Sequence, residues 1–95
     1  MLHDLSLQVP VIITKQGRRF VAYTPVLDIS TSGKTEKEVK GRFEELVGIF
    51  FEEIIQAGTT HDVLSELGWR KEQKKWMPPK LISTKSIGLR LPALA

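Results

Sequence analysis

Apolar and polar residues alternate along the start of the chain. Leu5, Leu7, Val9, Val11 and Ile13 fall on one side, and Ser6, Gln8, Pro10, Ile12 and Thr14 on the other. A period of two predicts a half-buried strand over Leu5 to Thr14. Pro10 has no N–H to donate, so it marks an edge or a bulge there. Lys15 to Arg18 contains Gly17 and predicts a hairpin turn. Phe20 to Thr24 is rich in β-branched and aromatic residues and predicts a returning strand, which Pro25 ends. Asp28 to Ser32 is a short third run, and Gly33 supplies a turn after it. The pattern is that of an antiparallel meander.

At Thr35 the period changes. Thr35 with Glu38 three residues on is a capping box, in which the hydroxyl accepts from an orphan N–H and the carboxylate reaches back. A helix is predicted from Glu36 to Ala57, with Gly58 at the position that needs a left-handed residue. Val39, Phe43, Leu46, Phe50, Ile54 and Ala57 make one apolar stripe, with Phe43 and Phe50 expected against the sheet. Val47, Phe51 and Ile55 make a second stripe beside it. Together they cover about half of the helix circumference. That is enough to bury one side on the sheet and the other on a partner subunit or on the chain's own later segment.

The remaining third is less regular. Thr59 or Thr60 can cap a short helix with Val63, Leu64 and Leu67 on its apolar side, and Gly68 stops it. Trp69 and Trp76 then bracket a polar loop and can pin a hairpin or fold its ends back onto the domain, since rings of that size tend to be at least partly buried. Pro78-Pro79 forces an extended stretch. Ile87, Leu89 and Leu91 alternate with Gly88 and Arg90, which predicts a last strand closed by Pro92. The element order is therefore three strands, a long helix, a short helix, a Trp-bracketed connection and a strand. This is an α+β architecture in one domain over 1–95, with a core at 5–58 and an extension at 59–95.

Charge sharpens this division. The 95 residues carry a net +3, but residues 1–59 carry −1 and residues 60–95 carry +4. A basic C-terminal third suits nucleic-acid contact or simply a solvated face. There is no cysteine, so disulfides and thiolate chemistry are excluded. No apolar stretch is long enough for a membrane span, and the start lacks the features of a signal peptide, so the expected location is cytoplasmic.

The pattern Phe20-x-Ala22-x-x-Pro25-x-Leu27, followed by Gly33-x-Thr35-x-x-Glu38-Val39, resembles the HicB family of antitoxins, the protein halves of HicA/HicB toxin–antitoxin pairs. The resemblance runs from Val11 to Ile55. Where the family often has Pro-Gly-Cys after the leucine, this chain has Asp28-Ile29-Ser30. The resemblance implies a partial ribonuclease-H-like fold with a final strand added alongside the first three. It implies a non-catalytic protein that binds and masks a HicA-like toxin, a small basic mRNA-cleaving enzyme, and that assembles as a homodimer or tetramer. Many members carry a C-terminal DNA-binding domain. Ile87 to Pro92 resembles the start of a DNA-binding ribbon, but the sequence reaches Ala95 without its two helices.

The residues themselves offer little catalytic chemistry. A ribonuclease-H site needs several carboxylates converging on metal ions, and Leu5 to Thr14 contains none. Asp28 and Glu45 are at best a lone pair. His61 stands beside Asp62, but neighbours on a helix do not face each other, and His3 lies near the terminus. No catalytic residue, cofactor or metal site is expected. The candidate functional residues are those of a partner or oligomer interface: Val47, Phe51, Ile55, Trp69, Trp76, Ile87, Leu89 and Leu91. The alternative is a small nucleic-acid-binding regulator, or an orphan interaction protein, that uses the basic C-terminal third. Arg70, Lys71, Lys74 and Lys75 between the tryptophans would then supply charge and stacking.

Overall fold

The computed structural model describes residues 7–93. Three strands, β1 (Ile12–Gln16), β2 (Arg19–Thr24) and β3 (Ile29–Gly33), form an antiparallel meander in the order β1-β2-β3. Helix α1 (Glu36–Gln56) packs on one face of it, followed by α2 (Thr60–Glu66). A separate hairpin comes last, β4 (Arg70–Glu72) with β5 (Lys75–Met77). The α+β architecture and the meander are therefore present.

Register decides which side chains meet the helix. Ile13 pairs with Ala22, and Ala22 with Thr31. Phe20, Ala22 and Thr24 thus share a face with Ile13 and Ile29, and α1 lays Val39 and Phe43 on it. The first strand begins at Ile12 rather than Leu5. Leu7 to Val11 run without strand pairing, because Pro10 cannot donate to a ladder; Leu5 and Ser6 lie outside the described residues. Gly17 opens the two-residue turn at φ 63°, and Gln16 pairs with Arg19 across it.

Gly33 corrects the reading of a turn glycine. It is the last residue of β3, paired with Phe20 and buried, and its φ is not positive. Its role is close approach. A Cβ there would stand 2.9 Å from the Val39 amide nitrogen and 3.1 Å from its Cα. The first turn of α1 therefore rests on the backbone of β3. The N-terminus of α1 is held as the sequence predicts, with one shift: the Glu38 N–H donates to Thr35 Oγ1 at 3.0 Å, while Glu38 Oε2 accepts from the Lys34 N–H, one residue before the cap, at 2.8 Å. That backbone hydrogen bond, helped by Arg42 and other cations, holds the Glu38 carboxyl below its ordinary pKa. Its contribution to stability is complete above the unfolded glutamate range and is lost as the pH falls through the folded value.

Two helix ends share one device. After α1, Gly58 takes φ 71°, its N–H donates to the Ile55 carbonyl and the Thr59 N–H to the Ile54 carbonyl. After α2, Gly68 takes φ 90°, its N–H donates to the Ser65 carbonyl and the Trp69 N–H to the Leu64 carbonyl. Both are Schellman motifs, which satisfy orphan carbonyls and reverse the chain. Neither Thr59 nor Thr60 caps α2 as expected. Both hydroxyls donate to the Ile54 carbonyl instead, because the turn between the helices is so tight.

The core forms two clusters. One holds Ala22, Val39 and Phe43. The other holds Val26, Leu27, Ile54, Leu64 and Trp69. Ile29 and Val47 border both. Phe50 is only half-buried, since it lies at the rim of the helix–sheet contact. The Trp-bracketed segment is a hairpin, one of the two arrangements the sequence allows. Gln73 and Lys74 both take positive φ, 47° and 67°, the pattern of a type I′ turn. The predicted last strand is not formed: Ile87, Leu89 and Leu91 lie in an extended, exposed segment with no pairing to the sheet.

Among the described residues, one buried side-chain hydroxyl stands without a partner. Thr24 is fully buried at the end of β2, and its hydroxyl makes no hydrogen bond. An unsatisfied buried hydroxyl is a cost. Thr24→Val keeps the shape, and the urea midpoint should rise by the equivalent of about 1 kcal/mol. A lower midpoint would mean that the hydroxyl is satisfied in solution.

Candidate protein-interaction site

The residues named as interface candidates separate into three groups. Val47, Phe51 and Trp69 turn inward. Phe51 meets the Trp69 ring edge-on, with centroids 6.2 Å apart, and Trp69 is 4% exposed. The second apolar stripe of α1 is thus covered largely by the chain's own later segment. Ile55 escapes this and is 63% exposed. Trp76 is half-buried, with His61 edge-on at 5.6 Å and the Lys71 ammonium 5.9 Å from its ring centroid. Ile87, Leu89 and Leu91 stand open to solvent.

The outer face of α1 shows a surface that the interface reading did not include. From Phe43 to Gln56 this face carries three exposed carboxylates, Glu44, Glu45 and Glu52, and no cation, while Glu53 turns to the β3 flank. At 100° per residue, Glu45 and Glu52 point away from the sheet. Gly41 and Gly48 lie on the same side, seven residues apart. A methyl group at either would meet nothing within 4 Å. No packing among the described residues requires these glycines, yet each costs a helix roughly 0.5–1 kcal/mol relative to alanine. The result is an acidic surface with a notch at Gly48, and a second notch at Gly41 about two turns earlier, where Lys37 shares the face. Helical spacing alone could have revealed it, because glycines seven apart opposite the apolar stripe have no role in the core.

The hairpin offers the opposite charge. Arg70, Lys71, Lys74 and Lys75 are all exposed. Arg70 is partly neutralised by Glu72 at 3.6 Å. Tyr23 donates to Asp28 Oδ1 at 3.1 Å, and this hydrogen bond raises the phenol pKa. Among the described residues, no group of three or more His, Cys, Asp or Glu stands together as a metal site would require. His61 and Asp62 are both exposed, with 3.9 Å between Nδ1 and Oδ1. Among the described residues, no helix is long and apolar enough to cross a membrane.

Comparison with family models, with curated proteins and with solved structures finds no match.

Proposed function

We propose that this chain is a non-catalytic, HicB-like antitoxin of partial ribonuclease-H-like fold. In this reading it binds a small basic HicA-like ribonuclease toxin, covers its active site and works as a homo-oligomer in the cytoplasm. The observation that carries the reading is the outer face of α1. Glu44, Glu45 and Glu52 supply a negative field for a basic partner, and Gly41 and Gly48 let that partner approach the helix backbone. The resemblance adds the kind of partner. Its residues hold the platform in place: Ala22, Leu27 and Val39 are buried, Gly33 receives the helix, and Thr35 with Glu38 starts it. Masking needs a rigid surface and no reacting group. Complementary charge then speeds encounter and selects the partner.

The test is binding to, and inhibition of, a small basic HicA-like ribonuclease. Glu45→Lys with Glu52→Lys should weaken the complex at least tenfold and leave the melting temperature almost unchanged. Gly48→Ala should raise stability by roughly 0.5–1 kcal/mol and still weaken binding. A complex indifferent to all three substitutions sinks the surface assignment. The other outcome is RNA or DNA binding with steep salt dependence that is lost on Lys71→Glu and Lys75→Glu. It would establish the nucleic-acid reading instead.

A further inference from the structure

From Lys80 to Ala93 the tail has an apolar side and, among the described residues, no seat in its own chain. Ile87, Leu89 and Leu91 are 75%, 76% and 70% exposed, and they alternate with Gly88 and Arg90. The described chain measures 58 × 29 × 22 Å, with a radius of gyration of 16.5 Å. A compact chain of this length would have about 12 Å. The tail therefore runs away from the body, and three large aliphatic side chains at every second position meet only water.

The same chain carries a seat of the matching shape. β1 and β3 are the two edges of the sheet. β1 contains Lys15 and follows Pro10, and both residue types discourage further pairing. β3 reads Ile-Ser-Thr-Ser-Gly, with neither charge nor proline. At its far end the edge is covered at one point, where Arg42 donates to the Ser32 carbonyl at 3.3 Å. A strand offers its backbone groups to alternate sides, so Ser30, two residues earlier, presents its own to the same open side. Above this edge lies a groove of about 440 Å³, lined by Ile29, Leu46, Ile49 and Phe50, with Asp28 and Glu53 at its rim. Ile49 is 44% exposed there.

We propose that Ile87 to Leu91 of a second copy adds to the open edge of β3 as a fourth strand, and that two chains exchange their tails in this way. Ile87, Leu89 and Leu91 then continue the helix-facing side of the sheet, beside Ile29 and beneath Leu46, Ile49 and Phe50. Lys85 and Arg90 of the incoming tail are opposite in charge to Asp28 and Glu53. Edge addition provides main-chain hydrogen bonds, and the alternate side chains provide the register. The exchange gives both copies the same contact, as two-fold symmetry requires. This deepens the homo-oligomer part of the proposed function and uses a different side of α1 from the acidic face.

The test uses the full chain. Light scattering at micromolar concentration should give a mass of two chains. Leu89→Asp and Ile49→Glu should each give a mass of one chain, with the helical circular dichroism and the melting of α1 retained, because both side chains are exposed within one copy. The absence of native cysteine allows a nitroxide at Leu89→Cys alone. Unlabelled-spin, ¹⁵N-labelled parent mixed with this variant should lose amide signal at Ile29 to Ser32 and at Leu46 to Glu53. A parent mass of one chain overturns both the exchange and the homo-oligomer reading. A two-chain mass with signal loss elsewhere overturns the exchange alone. Signal loss at β3 only when spin label and ¹⁵N sit on the same chain also overturns it, since the tail would then fold back on its own sheet.

Discussion

Replacing Trp69 by alanine should destabilise the protein by about 3–5 kcal/mol, a large part of the stability of a domain this size. Trp69 joins three parts of the fold at once. Its backbone N–H closes the Schellman motif on α2, and its ring lies against Phe51 of α1. Its indole N–H donates to the Val26 carbonyl at 2.7 Å, across a separation of 43 residues. Val26 and Leu27 sit in the β2–β3 connection, yet both are buried, because the tryptophan and α2 cover them. Trp69→Phe separates the contributions. It keeps most of the apolar contact and leaves the buried Val26 carbonyl unpaired, which costs about 1–3 kcal/mol. Denaturant midpoints measure both. An alanine variant that melts near the parent would show that the hairpin and α2 do not dock on α1 in solution.

Gly33→Ala should be nearly as damaging, through overpacking rather than a cavity. The added methyl group would meet the Val39 backbone nitrogen at 2.9 Å, and backbone cannot rotate aside. Either α1 lifts from β3 or the end of β3 moves, and overpacking of this kind costs typically about 1–3 kcal/mol and occasionally more. Gly41→Ala on the same helix is the control, since it meets nothing and should raise the melting temperature. If both glycines respond alike, the close approach at Gly33 is not present in solution.

The elements governed by local chemistry were legible in the sequence. The 3.6-residue period and the Thr35–Glu38 box located α1 almost to the residue. Gly58 and Gly68 marked both helix ends, and Pro25 marked the end of β2. What was not legible depended on distant partners. Gly33 looks like any turn glycine until α1 is placed 2.9 Å away. The run from Leu5 alternates as a strand does, but alternation reports a one-sided environment and not pairing, and Pro10 decides where pairing starts. Ile87 to Leu91 alternates in the same way, yet among the described residues no strand lies beside it. The second apolar stripe of α1 was consistent with a partner or with the chain itself. Only the position of Trp69 over Phe51 shows how much of it is covered from within. The acidic outer face is readable from helical spacing, but exposed charge on a helix looks like any solvated side until Gly41 and Gly48 are weighed against the helix they weaken.

The division of the core into two clusters bears on the order in which the protein assembles. The cluster around Ala22, Val39 and Phe43 joins segments near one another in sequence, so its loops close cheaply. The cluster around Val26 and Trp69 waits for a contact 43 residues apart, a non-local closure of the sort that slows folding. The meander and the first half of α1 should therefore consolidate first, with α2 and the hairpin docking last and leaving first. Native-state hydrogen exchange should show it as one sub-global opening. The Trp69 indole and the α2 amides would exchange together, well before those of Ala22 and Phe43.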